Sequence, residues 1–255
     1  MAERKAEDIK EFVRDYYAGI ARSQSNPCCA SSCCGSSAEE ATRASRLYSD
    51  EELNALSLEI ASLGCGNPVA LAELRPGDVV LDLGSGGGLD CFLAAQLVGP
   101  QGKVIGLDMT PEMIQQARAN AKKLSLENVE FRLGEMEHMP IESSSVDVVI
   151  SNCVINLSPD KDAVFREIFR VLKTGGRLCV SDMVTHDELP TQIRESLEQW
   201  AGCVAGALED KVYLDKIRAS GFIEPQVISN SSVCGEEPAY EGNQIASITV
   251  KARKP

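Results

Sequence analysis

The sequence holds few side chains that exchange a proton near neutral pH. Histidine occurs only twice in 255 residues, as His138 and His186, and we expect both to be surface or hydrogen-bonded structural residues rather than bases. Chemistry that depends on a histidine general base is therefore disfavoured. If the protein is an enzyme, its substrate must be activated by other means.

Positive charge and long apolar segments are also scarce. The chain has 25 Lys and Arg against 38 Asp and Glu, a formal net charge of −13. Nucleic acids and anionic membrane surfaces require a positive field, so a small molecule or a soluble protein is the expected partner. No apolar run approaches the length of a membrane span, and the charged residues 1–17 are unlike a signal peptide. We therefore expect a cytoplasmic protein.

Cysteine, in contrast, is abundant. The chain has ten, four of them within "NPCCASSCCGSS" (26–37). Cysteines in a reducing compartment serve metal binding or redox chemistry more often than a disulfide scaffold. The surrounding stretch, about residues 23–45, has low complexity and is the best candidate for disorder.

From about residue 76, strands and helices are predicted to alternate. Strands are predicted over 78–84, 103–108, 128–134, 145–154 and 177–183, with helices over 88–99, 110–124 and 160–176; a helical stretch (190–208), a helix (210–220) and strands over 225–229 and 245–252 follow. Such alternation indicates a doubly wound α/β sheet, whose ligands bind beyond the carboxyl ends of the strands.

Several segments at the predicted strand ends indicate a cofactor site. The glycines of "LDLGSGGG" (81–88) allow close approach of backbone N–H groups to a ligand, although such loops serve both dinucleotides and S-adenosylmethionine. Asp108 ends the second strand, where an acid can accept bonds from ribose hydroxyls. "GEMEHMP" (134–140) follows the third strand, where an adenine edge would lie, and "LKTGGRL" (172–178) leads into the fifth.

Taken together and in this order, these segments resemble the class I S-adenosylmethionine-dependent methyltransferases over residues 76–183. The resemblance implies an α/β, Rossmann-like three-layer sandwich with a mostly parallel seven-stranded sheet and an antiparallel last strand. We expect an N-terminal helix and flexible Cys-rich segment (1–50), the cofactor-binding core (51–185) and a substrate-covering C-terminal part (186–255). The implied cofactor-binding residues are Asp82, Gly84, Ser85, Gly86, Gly88, Asp108, Met109, Glu135, Met136, Glu137 and Asn152.

Three cysteines outside the N-terminal cluster are candidates for chemistry. Cys153 ends the fourth strand at the predicted cofactor mouth, and Cys203 lies in the helical stretch after the fifth strand; either could instead be a small core hydrophobe. Cys65 lies in the turn "LGCGNP", where burial explains a cysteine poorly. The others are predicted to be structural (Cys91 and Cys179) or to lie on a late loop (Cys234).

At these three cysteines the chain resembles the arsenite S-adenosylmethionine methyltransferases. The resemblance rests on "LGCGNP", "SNCVINLSPDK" and "WAGC", together with the upstream cysteine cluster. It implies that Cys65, Cys153 and Cys203 hold As(III) as thiolates and that a fourth cysteine takes part in catalysis. The spacing fits Cys34 best, although Cys33 or Cys28 could serve.

The chemistry of arsenic agrees with this assignment. Trivalent arsenic is soft and prefers thiolates, and three of them leave it one lone pair, so methyl transfer requires positioning rather than a base. Thiol–disulfide exchange then implies glutathione or thioredoxin as a reductant. The alternatives are another small-molecule acceptor for the same cofactor, or a cysteine-rich metalloid- or zinc-binding module, for which the C-C-x-x-x-C-C spacing is poor.

Overall fold

A mostly parallel sheet forms the centre of the computed structural model, which describes residues 2–24, 47–56, 60, 63–232 and 245–255. The strands are β1 (Val79–Leu83), β2 (Lys103–Asp108), β3 (Val129–Leu133), β4 (Val146–Asn152), β5 (Leu172–Thr185), β6 (Leu208–Glu209), β7 (Ile223–Ser232) and β8 (Ile245–Arg253). The helices are α1 (Ala2–Gln24), α2 (Asp50–Ala55), α3 (Pro68–Leu71), α4 (Leu89–Val98), α5 (Pro111–Lys123), α6 (Lys161–Val171), α7 (Thr191–Arg194), α8 (Leu197–Ala201) and α9 (Asp210–Ala219), with a 3-10 turn at Ile155–Leu157.

The strand order is β3-β2-β1-β4-β5-β8-β7, with β6 paired to β5 off this path. Strands β1 to β5 pair in parallel, whereas β8 is antiparallel to both β5 and β7. The predicted class I methyltransferase sheet with its antiparallel last strand is thus confirmed. The two-residue β6 is an eighth strand that the sequence does not predict.

Helices cover both faces of this sheet. On one face Phe165 and Ile168 of α6 and Tyr213 of α9 belong to the largest apolar cluster. On the other face Phe92 of α4 and Ile114 of α5 belong to a second. The result is three layers, and the carboxyl ends of β1, β2 and β4 meet at one edge of the sheet.

The helix predicted over 160–176 is too long. Helix α6 ends at Val171, and Leu172 already pairs with Val146 as the first residue of β5. The Lys-Thr-Gly-Gly segment therefore lies inside the strand, where the register with β4 shifts between Val146 and Val148. Its glycines, the last residues of the predicted helix, instead accommodate a β-bulge.

The helical stretch predicted over 190–208 is also wrong in part. It consists of the short helices α7 and α8 and ends in β6. Cys203, just beyond α8, has a positive φ of 64°, a conformation that a right-handed helix cannot continue through. None of the helices within the described ranges is long and apolar enough to span a membrane.

Candidate active site

A cleft opens at the carboxyl ends of β1, β2 and β4 and encloses about 1040 Å³, including the solvent at its mouth. We call it the cofactor cleft. Nine of the predicted cofactor-binding residues line it: Asp82, Gly84, Ser85, Gly86, Asp108, Met109, Met136, Glu137 and Asn152. Gly88 and Glu135 are not among its lining residues.

The floor of the cofactor cleft is the glycine loop between β1 and α4. Gly84 adopts a φ of +66°, and a Cβ there would collide with the side chain of Val154. Only glycine combines this conformation with so close an approach. The loop therefore packs closely against the segment that follows β4 at Gly84, whereas a Cβ at Gly86 would meet nothing within 4 Å.

Asp108, at the end of β2, supports the same loop. Its Oδ2 accepts a hydrogen bond from the Gly86 N–H at 2.9 Å, and its Oδ1 accepts one from the Thr110 N–H at 2.8 Å. Burial raises the pKa of Asp108. These bonds orient the carboxyl group, which lines the cofactor cleft.

Asp82, inside β1, is a deeply buried acid of the cofactor cleft. It accepts a hydrogen bond from the Cys91 thiol at 3.2 Å, and burial followed by the nearby Asp90 carboxyl raises its pKa well above the usual range. Cys91 was predicted from the sequence to be a structural residue. This cysteine is a buried hydrogen-bond donor to a cleft acid.

Helix α1 closes one side of the cofactor cleft with Lys10, Val13 and Tyr17. The Lys10 Nζ lies 2.7 Å from Oε2 of Glu135 and 3.2 Å from Oε1 of Glu137. Glu135, predicted to bind the cofactor, is therefore engaged in holding α1 in place. No role in the site is predicted for α1 from the sequence, although its apolar residues recur at every fourth position, a pattern that indicates a packed helix face.

The predicted arsenic ligands converge beside the cofactor cleft. Cys153 follows β4 directly and Cys203 follows α8; both lie in one apolar cluster, and Cys65 packs against it. The Cys203 Sγ donates a hydrogen bond to the Cys153 carbonyl at 2.8 Å. Hydrogen bonding with the thiols of Cys203 and Cys65, followed by burial, raises the pKa of Cys153 well above the usual range. We call these three residues the thiol cluster.

Two members of the thiol cluster have an unusual backbone. Cys153 and Cys203 have φ values of 63° and 64°, in the left-handed region that costs a non-glycine residue about 1–2 kcal/mol. Both residues are almost fully buried, at 6% and 5% exposure. Such strain persists only where the surrounding contacts impose it, and it accumulates at functional sites.

The remaining cysteine predictions fall elsewhere. Cys34, with Cys33 and Cys28, lies outside the described residues, as does Cys234. Cys179 is buried inside β5 with a pKa raised to about 12 by burial, in keeping with a structural residue. In the part of the chain that the structure covers, no three His, Cys, Asp or Glu side chains form a ready metal site.

Next to the thiol cluster lies a buried cation that sequence reasoning missed. Lys161 is buried at the start of α6, where its Nζ donates to the carbonyls of Ser158 at 2.9 Å and Asn156 at 3.3 Å. The same Nζ lies 5.3 Å from the centre of the Trp200 ring, and burial lowers the pKa of Lys161 to about 8. A lysine after "SPD" gives no sequence signal of burial, because this composition is typical of a solvated helix start.

Comparison with known proteins agrees with this arrangement. A family model described as a methyltransferase domain matches residues 74–232. An arsenite methyltransferase of Halobacterium salinarum is 46% identical over all of this chain and 69% of its own length. That of Mus musculus is 34% identical over 94% of this chain and 65% of its own length. The chain thus spans about two thirds of the length of these relatives.

A solved structure provides a further similarity. An arsenic(III) S-adenosylmethionine methyltransferase from Chlamydomonas reinhardtii superposes with a TM-score of 0.70 at 36% identity. The superposition covers 78% of this chain and 72% of that one. The likeness therefore extends over most of both chains, in sequence as well as in fold.

Proposed function

The chain belongs to the arsenite methyltransferases, and we propose that it transfers methyl groups from S-adenosylmethionine to trivalent arsenic held by its own cysteines. The observation that carries this proposal is the convergence of Cys65, Cys153 and Cys203, which come from three separate segments, in one apolar pocket beside the cofactor cleft. His138 and His186 are both exposed and lie outside the lining of that cleft. Because neither histidine can act as a base at the cleft, a nucleophile that needs no deprotonation, such as the lone pair of trivalent arsenic, suits this site.

The cofactor cleft suits S-adenosylmethionine. Asp82 and Asp108 offer carboxyl groups, Met109 and Met136 offer apolar surface, and the glycine loop leaves open space beside the backbone of Gly86. When bound, S-adenosylmethionine supplies an electrophilic methyl group on a sulfonium sulfur. The role of the chain is to hold this group, exclude water and direct a lone pair toward it.

Arsenite can load onto these thiols without a base. Three cysteine thiols react with one As(OH)₃ to give a trithiolate and three water molecules, since each thiol proton leaves with one hydroxide. The raised pKa of Cys153 is compatible with this step, because the thiol need not ionise beforehand. The three thiols lie next to one another, in or against one apolar cluster.

The bound arsenic keeps one lone pair, which is the nucleophile. Burial of Cys153 and Cys203 among apolar side chains keeps water away from it. Methyl transfer onto the lone pair formally oxidises arsenic from the trivalent to the pentavalent state. Two cysteine thiolates return it to the trivalent state by giving up two electrons and forming a disulfide, and we assign the two-electron reduction of that disulfide to a thiol reductant such as glutathione or thioredoxin. Such a reductant, and the need for free thiols, favour a cytoplasmic location.

The test is a methylation assay with matched cysteine variants. The protein is incubated with arsenite, S-adenosylmethionine and glutathione, and the arsenic species are separated by chromatography. Wild type and Cys179→Ser should form methylated arsenic, whereas Cys153→Ser should form almost none while still binding the cofactor. A wild-type protein that binds S-adenosylmethionine and yields no methylated arsenic would falsify the proposal.

A further inference from the structure

We propose that Asn152 is a positioning residue that sets the place of Cys65 relative to Cys153. This inference rests on the proposed function, since it concerns the arsenic-binding thiols. Asn152 is predicted from the sequence to bind the cofactor, and it does line the cofactor cleft. The hydrogen bonds of its side chain, however, lead to the turn that carries Cys65.

The carboxamide of Asn152 holds the backbone of that turn from both sides. Its Oδ1 accepts hydrogen bonds from the N–H groups of Cys65 at 2.9 Å and Gly66 at 3.1 Å. Its Nδ2 donates to the Gly66 carbonyl at 2.7 Å. Three backbone groups thus depend on one side chain, and the Ser247 hydroxyl adds a bond to the Cys65 carbonyl at 2.8 Å.

The turn also packs directly on this amide. A Cβ at Gly64 would collide with the carboxamide of Asn152, so glycine is required for the approach. Because Cys153 is the next residue in the chain, the backbone that carries the second thiol also carries the group that fixes the first. The position of Cys65 relative to Cys153 is therefore fixed by one side chain and one peptide bond.

The amide is in turn held by a buried pair of side chains. Its Nδ2 lies 3.1 Å from Oδ2 of Asp90 and 3.0 Å from the Tyr48 hydroxyl, and that hydroxyl donates to Oδ1 of Asp90 at 2.8 Å. Asp90 stands in the first turn of α4, immediately after the glycine loop. The network thus connects the cofactor loop to the thiol cluster through Asn152.

Only an amide satisfies these partners together. Asparagine supplies an acceptor for two N–H groups and a donor for a carbonyl and for the Asp90 carboxyl. Aspartate would present a second carboxyl to Asp90 and to the Gly66 carbonyl. Alanine would leave two backbone N–H groups without this partner.

The test is a double-mutant cycle on arsenite binding. Arsenite affinity is measured through the fluorescence of Trp200, the only tryptophan of the chain, which packs against the apolar cluster of the thiols. Asn152→Ala should weaken binding about 10-fold, and Cys65→Ser by at least that factor. The double variant should bind no more than about 2-fold more weakly than Cys65→Ser alone, because Asn152 acts through Cys65.

Further measurements separate positioning from a general loss of structure. The number of thiols that bound arsenite protects from a thiol reagent should fall by one in Asn152→Ala, and arsenite affinity should fall by a larger factor than S-adenosylmethionine affinity. Asn128→Ala is the matched control, because the Asn128 amide also bonds the backbone of a distant segment, donating to the carbonyls of Ala95 and Gly99 away from the thiols. If Asn152→Ala does not fold, Tyr48→Phe tests the same network with a smaller expected loss of arsenite affinity.

The outcomes distinguish this inference from the proposed function. If the wild type binds no arsenite, the proposed function is wrong and the positioning role falls with it. If the wild type binds arsenite and the effects of Asn152→Ala and Cys65→Ser are additive, or if Asn152→Ala weakens cofactor binding instead, the positioning role alone is wrong.

Discussion

The cofactor cleft and the thiol cluster meet at Asn152 and Cys153, yet they are built in different ways. The cofactor cleft is made largely of successive strand-to-helix turns, carries several carboxyl groups and rests on backbone hydrogen bonds such as that from Gly86 to Asp108. The thiol cluster draws three residues from distant segments into an apolar pocket. One region follows from local sequence and the other from long-range packing, so the two should be separable by mutation.

The largest expected effect is the loss of methyl transfer without loss of the cofactor. Cys153→Ser should reduce arsenic methylation more than about 100-fold, because it removes a group that positions the nucleophile. Its affinity for S-adenosylmethionine, measured by calorimetry, should stay within about 3-fold of wild type, since the cleft acids and the glycine loop are untouched.

A variant of the cofactor cleft should weaken cofactor binding and leave arsenite binding at the thiol cluster unchanged. Asp108→Asn should weaken S-adenosylmethionine binding by about 10- to 100-fold, because it removes a charged acceptor. Its arsenite affinity, measured by Trp200 fluorescence, should not change. Loss of both ligands in either Cys153→Ser or Asp108→Asn would show that the two regions are one unit.

The same difference explains what the sequence could predict. The glycine loop, Asp108 and the alternation of strands and helices were predictable because strand ends and tight turns are encoded within a few residues. The proximity of Cys65, Cys153 and Cys203 was accessible only through family resemblance, since no local pattern joins segments so far apart. The buried Lys161 gave no signal, because burial of a polar side chain depends on which distant groups surround it.

Each of the two regions also has a buried acid nearby, and the two acids should ionise at different pH values. Burial raises the pKa of Asp182, next to Met183 of the thiols' apolar cluster, to about 7, and that of Asp90, in the cofactor cleft, to about 6. Both carboxyls have an ordinary pKa of 3.8, so between pH 3.8 and the raised value the folded protein binds more protons than the unfolded chain. The free energy of unfolding should therefore fall as the pH rises through that window. Above the window the folded protein should bear the full cost of the buried, ionised carboxylate.

Asparagine variants isolate these two contributions. From pH 4 to pH 7, wild type should lose about 2–4 kcal/mol of stability relative to Asp182→Asn. Relative to Asp90→Asn, wild type should lose less stability, and the loss should level off above about pH 6. Urea unfolding at each pH measures both differences. Stability curves that stay parallel to wild type across this range would contradict the assigned burial of the two acids.

The smallest expected effect concerns helix α1, which borders both regions. Lys10 bonds Glu135 and lies close to Glu137, and its hydrogen bond is the main cause of the lowered pKa of Glu135. Because the Glu135 side chain is 36% exposed, solvent screening limits this contact to less than about 1 kcal/mol. Lys10→Ala should therefore raise the KM for S-adenosylmethionine only about 2- to 5-fold.

The salt dependence of the KM, with Lys5→Ala as a control, shows whether α1 acts mainly on the cofactor cleft or on the thiol cluster. In wild type the KM for S-adenosylmethionine should rise with salt, whereas in Lys10→Ala it should not, because the screened ion pair is already absent. Lys5→Ala, on the exposed face of the same helix, is the control and should change neither quantity. A KM for arsenite that rises with Lys10→Ala as steeply as that for S-adenosylmethionine would place α1 with the thiol cluster. Its contacts there through Val13 would then outweigh its ion pairs at the cofactor cleft.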